Sequence, residues 1–514
     1  MDFDEVVLKL NPADSVAVLK KAVRAGDELR NGGTTVCVGR NMGPGHKIAL
    51  TEIRDGEPIR KYGQVIGFAR GTIAVGEHVH THNVGLKDLG LDYQFCADTR
   101  AVDYYPSDQM RFFQGYARPG GRVGTRNYLA VISSVNCSAS VSQYVRERFR
   151  NEGFKRDFEN VDGVIAFTHK AGCAMDPGEP QQVLQRVLAG IARHPNIAGY
   201  VMIGLGCEVN QVEAIRHAFD LEKLRPGEAA PVFLNIQTSG GIRKTVEAAT
   251  AAVARLLPEA NGLRRTPQPV SKLILAENCG GSDGNSGITA NPALGVASDE
   301  LVRYGGTSVL AETPEIYGAE HLLTRRAVSR QVGEQLVALI HWWEEHVRRH
   351  GCSIDNNPSF GNKEGGLTTI YEKSLGAVAK GGQSPLAAVY RYAEPVTGAG
   401  LCFMDTPGYD PVSMTGLVAG GCNIGVFTTG RGSVYGCKPA PCIKVATHSA
   451  LYRWMEEDMD INAGTILEGT ETVAEVGRRI FEKLVAVASG EKTKSELAGV
   501  GDEEFAPWQL GPTL

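Results

Sequence analysis

The sequence predicts a small all-β module at the amino terminus, followed by a large α/β body with mostly parallel sheets. Three observations carry this reading. Short strand-like stretches separated by glycine turns fill the first hundred residues. From Asn127 onward, continuous apolar runs alternate with amphipathic helices. Glycine accounts for 62 of 514 residues, about 12% against roughly 7% in average proteins. Such a surplus marks tight turns and places where backbone approaches a ligand closely.

In the module, Thr34–Val38, His46–Leu50 and Gln64–Ala69 read as strands between turns at Gly32-Gly33, Gly43, Gly56, Gly63, Gly67 and Gly76. Ser15–Leu29 reads as a helix. The domain reading is a β module over residues 1–97, a linker over 98–115, and an α/β body in two parts, 116–262 and 263–514. In the first part YLAVISSV, VDGVIAFTH, GYVMIGLG and PVFLNIQ read as strands. The helices Gln181–Arg193, Val212–Phe219 and Ile242–Leu257 follow in turn. In the second part KLILAEN, GLCFMD, NIGVFTT and CIKVAT read as strands, with helices at Val328–Arg349 and Thr472–Ala488. Uninterrupted apolar strands between helices imply sheets buried on both faces, which are parallel sheets.

Composition narrows the function. Fifty-three basic against 58 acidic residues leave a formal charge of −5 without long single-sign runs, which excludes a polybasic nucleic-acid surface. The start, MDFDEVVLKLNPADS, lacks the basic and apolar regions of a signal peptide, and no run approaches the ~18 apolar residues of a membrane span. Eleven scattered cysteines argue against a disulfide framework. The expectation is a cytoplasmic enzyme with reduced thiols that binds neither nucleic acid nor membrane; a homo-oligomer is compatible with it.

Two clusters carry chemistry. Cys137, Cys173, Cys207 and Cys279 each follow the end of a strand, at the edge where open parallel sheets bind ligands. Soft thiolates there suit iron. In GEHVHTHN, His78, His80 and His82 alternate and share one face of a strand, with His46 nearby in GPGHK. Glycine-rich strings add Ser282, Asp283 and Asn291, then Asn362 and Lys363, then Arg431, which matches a carboxylate with two parallel hydrogen bonds. Neither a phosphate loop nor a dinucleotide fingerprint is present, so no nucleotide cofactor is expected.

These strings occur in a familiar order. GHKIAL, KYGQVIG and GEHVHTHN, followed by GRVGTRN, HKAGC, IGLGCE, CGGSDGNSGITANP, NPSFGNKEGG, FTTGRG, IKVAT and DINAG, resemble the altronate/galactarate dehydratase family over nearly the full length. The resemblance implies that the module is of the SAF type, β-clip-like. It implies an iron-dependent hydro-lyase that converts a hexonate or hexarate to a 2-keto-3-deoxy acid. The intact HVH-x-HN string tilts the substrate towards D-altronate. Galactarate, or elimination from another 2-hydroxy acid such as sulfolactate, is the alternative, and a sugar-acid binding protein is the non-enzymatic one. Within this frame His169, Lys363 and Glu312 are the acid/base candidates. Arg431 would clamp the carboxylate, with Ser282, Asp283, Asn291 and Asn362 on the substrate. The metal set is His80, His82 and Cys279, extended by Cys137, Cys173, Cys207 and His46, and holds Fe2+. Mn2+ or an iron–sulfur cluster on the strand-end cysteines is the alternative.

Overall fold

Antiparallel pairing organises the module. Val16–Leu19 lies between Val7–Leu8 and Lys47–Ala49, and Lys47–Ala49 pairs in turn with His78–Val79. A second sheet joins Pro58–Lys61, Gln64–Ala69 and Val84–Gly85. The computed structural model describes residues 1–31, 34–151, 153–223, 227–511 and 513, so the expected Gly32-Gly33 turn lies outside the described residues. The helix expected over Ser15–Leu29 is instead strand Val16–Leu19, a turn, and strand Glu28–Asn31. All four side chains of Val16–Leu19 are buried. Val16 packs into one core and Ala17 and Leu19 into another, so the strand shows no polar alternation to read.

The first α/β body has four parallel strands: β1 (Tyr128–Ser133), β2 (Gly163–Phe167), β3 (Ile197–Gly204) and β4 (Val232–Asn235), in the order β2-β1-β3-β4. Leu129 and Val131 point to the face covered by helices α1 (Ala139–Glu147) and α4 (Ile242–Gly262). Ala130 and Ile132 point to the face covered by α2 (Glu179–Ala192) and α3 (Val212–Ala218). The residues read as a linker end in strand Phe112–Ala117, which pairs with Val123–Gly124 and Thr266–Pro269 and so fastens both ends of this body. Phe113 anchors it at 1% exposure.

The second body is built on a seven-stranded parallel sheet: β5 (Ile274–Cys279), β6 (Thr307–Leu310), β7 (Leu386–Tyr390), β8 (Gly400–Met404), β9 (Ile424–Thr429), β10 (Cys442–Ala446) and β11 (Ile461–Asn462). Their order is β7-β8-β6-β5-β9-β10-β11. Its helices include α5 (Ala290–Arg303), α6 (Arg330–Arg349), α7 (Phe360–Glu364), α8 (Ile370–Ala377), α9 (Asp410–Ala419) and α10 (Val473–Ala488). Ser329 caps α6, and a Thr472–Glu475 capping box opens α10. The two bodies touch where α2 crosses α9: a Cβ at Gly190 would fall 2.2 Å from the Ala419 carbonyl oxygen. Among the described residues no helix is long and apolar enough to cross a membrane.

A buried ion cluster docks the module onto the second body. Lys47 Nζ lies 2.8 Å and Lys61 Nζ 2.9 Å from the two carboxylate oxygens of Glu372 in α8, with all three side chains essentially inaccessible. Lys47 also donates to Gly366 O (2.5 Å), and Thr368 donates to Glu372 through its backbone (2.9 Å) and hydroxyl (2.7 Å). Burial alone would raise the Glu372 carboxyl, but Lys47 and Lys61 outweigh it and hold the group well below the usual carboxylate range. This contribution is complete above the unfolded carboxyl's pKa near 4.5 and fades as pH falls through the lower folded value. Glu372→Ala strands two ammonium groups in the interior. It should lower the calorimetric stability of docking by about 3–5 kcal/mol, whereas replacing all three residues by methionine should cost far less.

Candidate active site

Strand β5 delivers Cys279 to the carboxyl edge of the large sheet, where Gly280 and Gly281 turn the chain away. A Cβ at Gly280 would fall 2.2 Å from Asp410 Oδ2, so only glycine lets the first residue of α9 lie over this turn. Beside β5, strand β6 leads to Glu312, a non-glycine residue in the left-handed region at φ 69°, and a one-turn helix then carries Glu315. Lys373 in α8 and Lys380 just beyond it complete the group. Lys380 Nζ stands 2.9 Å from both Cys279 Sγ and Glu312 Oε2. Lys373 Nζ stands 2.6 Å from Glu315 Oε1 and 2.6 Å from Asn357 Oδ1. Cys279 Sγ lies 3.5 Å from Glu315 Oε2.

Burial makes these charges interact strongly and gives three carboxyls three different states. Burial, then Glu315, raise Glu312 to about 7 against the pull of Lys380. Burial also acts to raise Glu315, but Lys373 and Lys380 keep it below its ordinary value. Asp410 is raised well above a normal carboxyl by burial and by Glu312 and Glu315, which disfavours its ionised form. Burial pushes the Cys279 thiol up to about 12. The group opens into a cleft of about 370 Å³ lined by Cys279, Glu315, Asn357, Asn362, Lys373 and Asp410. Glu312 lies behind Cys279, and its Oε1 is buried without a partner.

The imidazoles gather on the other side of α7. Ligand nitrogens of His46, His78 and His80 lie within 4.8 Å of one another. His46 Nδ1 faces His78 Nε2 at 3.0 Å, His46 Nε2 reaches Glu364 O at 3.2 Å, and His80 Nε2 reaches Lys363 O at 2.8 Å. Burial and the neighbouring imidazoles depress His46 to about 4 and His78 to about 3, so both are neutral at physiological pH. This corrects the expected set of His80, His82 and Cys279. His82 is exposed and only its ring approaches His78, at 5.7 Å between centroids. Cys279 shares its own group with Glu312 and Glu315, and two lysines already neutralise that group.

Other expectations change as well. His169 is buried with Nε2 on Ser133 O (2.9 Å) and Nδ1 accepting from Ala171 N (3.2 Å), so neither nitrogen is free for acid–base work. Asp283 accepts from Asn285, Ser286 and Thr447 at 3.0–3.1 Å, and Asn291 is held by Gly376 O (2.9 Å) and Thr428 Oγ1 (2.6 Å). Both brace the loop and have no free group for a sugar. Asn362 caps α7 and donates to Ser282 O (2.8 Å), and the Ser282 hydroxyl is buried without a partner. Lys363 supplies its carbonyl to His80. Arg431 pairs with Glu364 at 3.2 Å and lines a second cleft, beyond Gly281. Of the four strand-end cysteines, Cys137, Cys173 and Cys207 follow strands of the small sheet and Cys279 ends a strand of the large one.

Three family models match in succession: the altronate/galactarate dehydratase SAF domain over residues 5–87, the D-galactarate dehydratase/altronate hydrolase second domain over 115–261, and the D-galactarate/altronate dehydratase C-terminal domain over 270–513. Altronate dehydratases of Bacillus subtilis and Escherichia coli are each 35% identical over 508 residues, 99% of this chain and 99% of theirs. The chain belongs to the altronate/galactarate dehydratase family. The galactarate dehydratase (L-threo-forming) of Escherichia coli is 37% identical over 490 residues, 94% of this chain and 93% of its own. As a member of the altronate/galactarate dehydratase family, the protein is a carbon–oxygen hydro-lyase.

Sequence reasoning missed Lys373, Lys380, Glu315 and Asp410. Glu315 could have been found from its i,i+3 spacing to Glu312 in LAETPE; the lysines sit in helical stretches without a motif. The burial contrast has a direct test on metal-free protein. Iodoacetamide at pH 8 should alkylate exposed Cys137, Cys173 and Cys207, while Cys279, at 1% exposure, stays unmodified by mass spectrometry.

Proposed function

We propose that the protein dehydrates a sugar acid, an aldonate such as altronate, to the 2-keto-3-deoxy acid, in the cleft bounded by Cys279, Glu315, Lys373 and Asp410. The observation that carries this is the packing of buried Glu312, Glu315, Cys279 and Asp410 around Lys373 and Lys380 beside one cleft, since unequal surroundings push neighbouring carboxyls apart into a base and an acid. Glu315, on the cleft wall, takes the proton from C2 and passes it by way of the Cys279 thiol to Glu312, near 7, behind it. Asp410, whose ionised form burial disfavours, gives a proton to the oxygen leaving C3. The ammonium groups of Lys373 and Lys380 offset the negative charge that builds on the enediolate-like carbon framework. Asn362, which lines the cleft from α7, orients the substrate's hydroxyls. The names of the relatives and the intact HVH-x-HN string support the aldonate.

His46, His78 and His80 would hold a divalent iron. They suit it: His78 Nδ1 is buried without a partner, two ring nitrogens face each other at 3.0 Å, and all are driven towards the neutral form that ligates. A bound cation there would supply a Lewis acid on the module side of α7. Eleven free cysteines favour a reducing, cytoplasmic setting.

The substrate is tested by assaying 2-keto-3-deoxy acid formation from altronate, galactarate and other 2-hydroxy acids, with sulfite release as the signal for sulfolactate. Turnover of none by iron-loaded protein would leave only a binding role. Glu312→Gln should lower kcat by about 10²–10⁴-fold at unchanged iron content. In the parent enzyme kcat should rise with pH through about 7, as Glu312 ionises, and fall again when Asp410 loses its proton. Lys380→Met removes the cation that pulls Glu312 down, so its acid limb should move to higher pH. His46→Ala and His80→Ala should lower bound iron, measured by elemental analysis, at unchanged melting temperature.

A further inference from the structure

The small sheet has a ligand edge of its own. Its order β2-β1-β3-β4 reverses direction at β1, and the helices after β1 and β3 leave to opposite faces. A crevice opens at such a reversal, beyond the carboxyl ends of the two strands, and it is where open α/β sheets bind ligands. Cys137 follows β1 and Cys207 follows β3, on the two sides of the reversal, and Cys173 follows the adjacent β2. All three are exposed, free thiols, whereas five of the chain's other cysteines are buried. Desolvation first, then the neighbouring Cys173, Cys207 and Glu208, raise the Cys137 thiol.

The three turns are tied to one another. Asn136 N donates to Ala171 O (2.9 Å), Val209 N to Cys173 O (3.1 Å), Asn210 N to Gly172 O (3.1 Å), and Asn210 Nδ2 to Ser134 O (2.8 Å). Glu208, 2% exposed, accepts from the Ser134 hydroxyl at 2.9 Å and from Leu205 N and Gly206 N at 3.1 and 2.5 Å. Gly172 at φ +100° lies so near Ser134 O that a Cβ would fall 2.7 Å from it. Gln237 Nε2 donates to Cys207 Sγ at 3.3 Å, from the turn after β4. Backbone bonds therefore preorganise three thiols from three strands, which scattered packing cysteines would not need.

We propose that Cys137, Cys173 and Cys207 hold an iron–sulfur cluster on the small sheet, separate from the imidazole site, with one iron left open to an oxygen ligand of a small hydroxy acid. Thiolates are the ligands such clusters take, and three of them leave one corner of a cubane unfilled. The spacing favours a cluster over one ion. Among the described residues the ligand groups within 4.8 Å of one another are the histidine and Cys279 sets, and the three thiols are not among them. A single tetrahedral zinc, with Zn–S bonds of about 2.3 Å, needs closer sulfurs.

The test uses the full chain expressed and purified without oxygen. Acid-labile sulfide should accompany iron, with a charge-transfer absorption in the visible and a paramagnetic signal on reduction. Cys137→Ser, Cys173→Ser and Cys207→Ser should each lower labile sulfide at least tenfold while the iron held by His46 and His80 remains. His46→Ala should do the reverse. These thiols are exposed, so melting curves of the metal-free variants should match the parent and exclude misfolding. Iron without sulfide, stoichiometric zinc, a Cys137–Cys173 disulfide in the anaerobic protein, or sulfide undiminished in the triple variant would each overturn the assignment.

Discussion

The bridge of Lys47 and Lys61 to Glu372 sets the geometry on which the rest of the molecule depends. It buries two positive charges against one negative, a net +1 that the Gly366 and Gly284 carbonyls help to solvate. Such a cluster is a poor source of stability, because desolvating three charges costs about as much as their attraction returns. Its use is positional. Lys47 follows His46 in the chain, and its strand pairs with the one carrying His78, so fixing the ammonium fixes the imidazoles. Glu372 precedes Lys373 in α8. One residue faces the module and the next faces the acidic cleft. A single turn of helix thus ties the imidazole trio to the carboxyl group, with the five-residue α7 between them receiving His46 and His80 on its last carbonyls and lining the cleft with Asn362.

The cleft is built by the same balance at shorter range. Glu312, Glu315, Asp410 and Cys279 outnumber Lys373 and Lys380, so not every acid can be ionised at once. Burial and the neighbouring carboxylates raise both Asp410 and Glu312, Asp410 well above a normal carboxyl and Glu312 to about 7. The left-handed backbone of Glu312 is a strained conformation for a residue with a side chain, and such strain persists only where its surroundings over-determine it. Here the surroundings are Thr406 Oγ1 on the Glu312 N–H (2.9 Å) and Lys380 on its carboxylate. The same contacts hold the residue in the orientation that leaves Oε1 free.

How much of this was legible follows from what each feature is made of. The parallel sheets were legible because strands such as Tyr128–Ser133 are apolar throughout, and the closing helix because Thr472 and Glu475 box its start. The histidine cluster was legible as a group but not as a set: alternation over 78, 80 and 82 assumes a strand, and pairing ends at Val79, so the chain turns and His46 replaces His82. Ser282, Asp283 and Asn291 share one glycine-rich string, yet loops of this kind consume most of their own polar groups in bracing. Which hydroxyl is left over depends on Thr447 and Thr428, more than a hundred residues away. Lys380 illustrates the limit. Nothing around it in GAVAKGG marks it; only the fold brings it to Cys279.

The cysteines make the same point chemically. Four of them occupy comparable places, at or within a few residues of the end of a parallel strand, and topology alone would give them one role. Burial separates them. At the large sheet the thiol is walled in, its proton firmly held, and its partner is a lysine; it serves as part of a proton-balancing wall. At the small sheet three thiols stand in solvent beside one another, where a metal can displace their protons without any desolvation cost already spent on them. A strand end therefore nominates a residue for chemistry, and the dielectric around it decides whether that chemistry is acid–base or ligation.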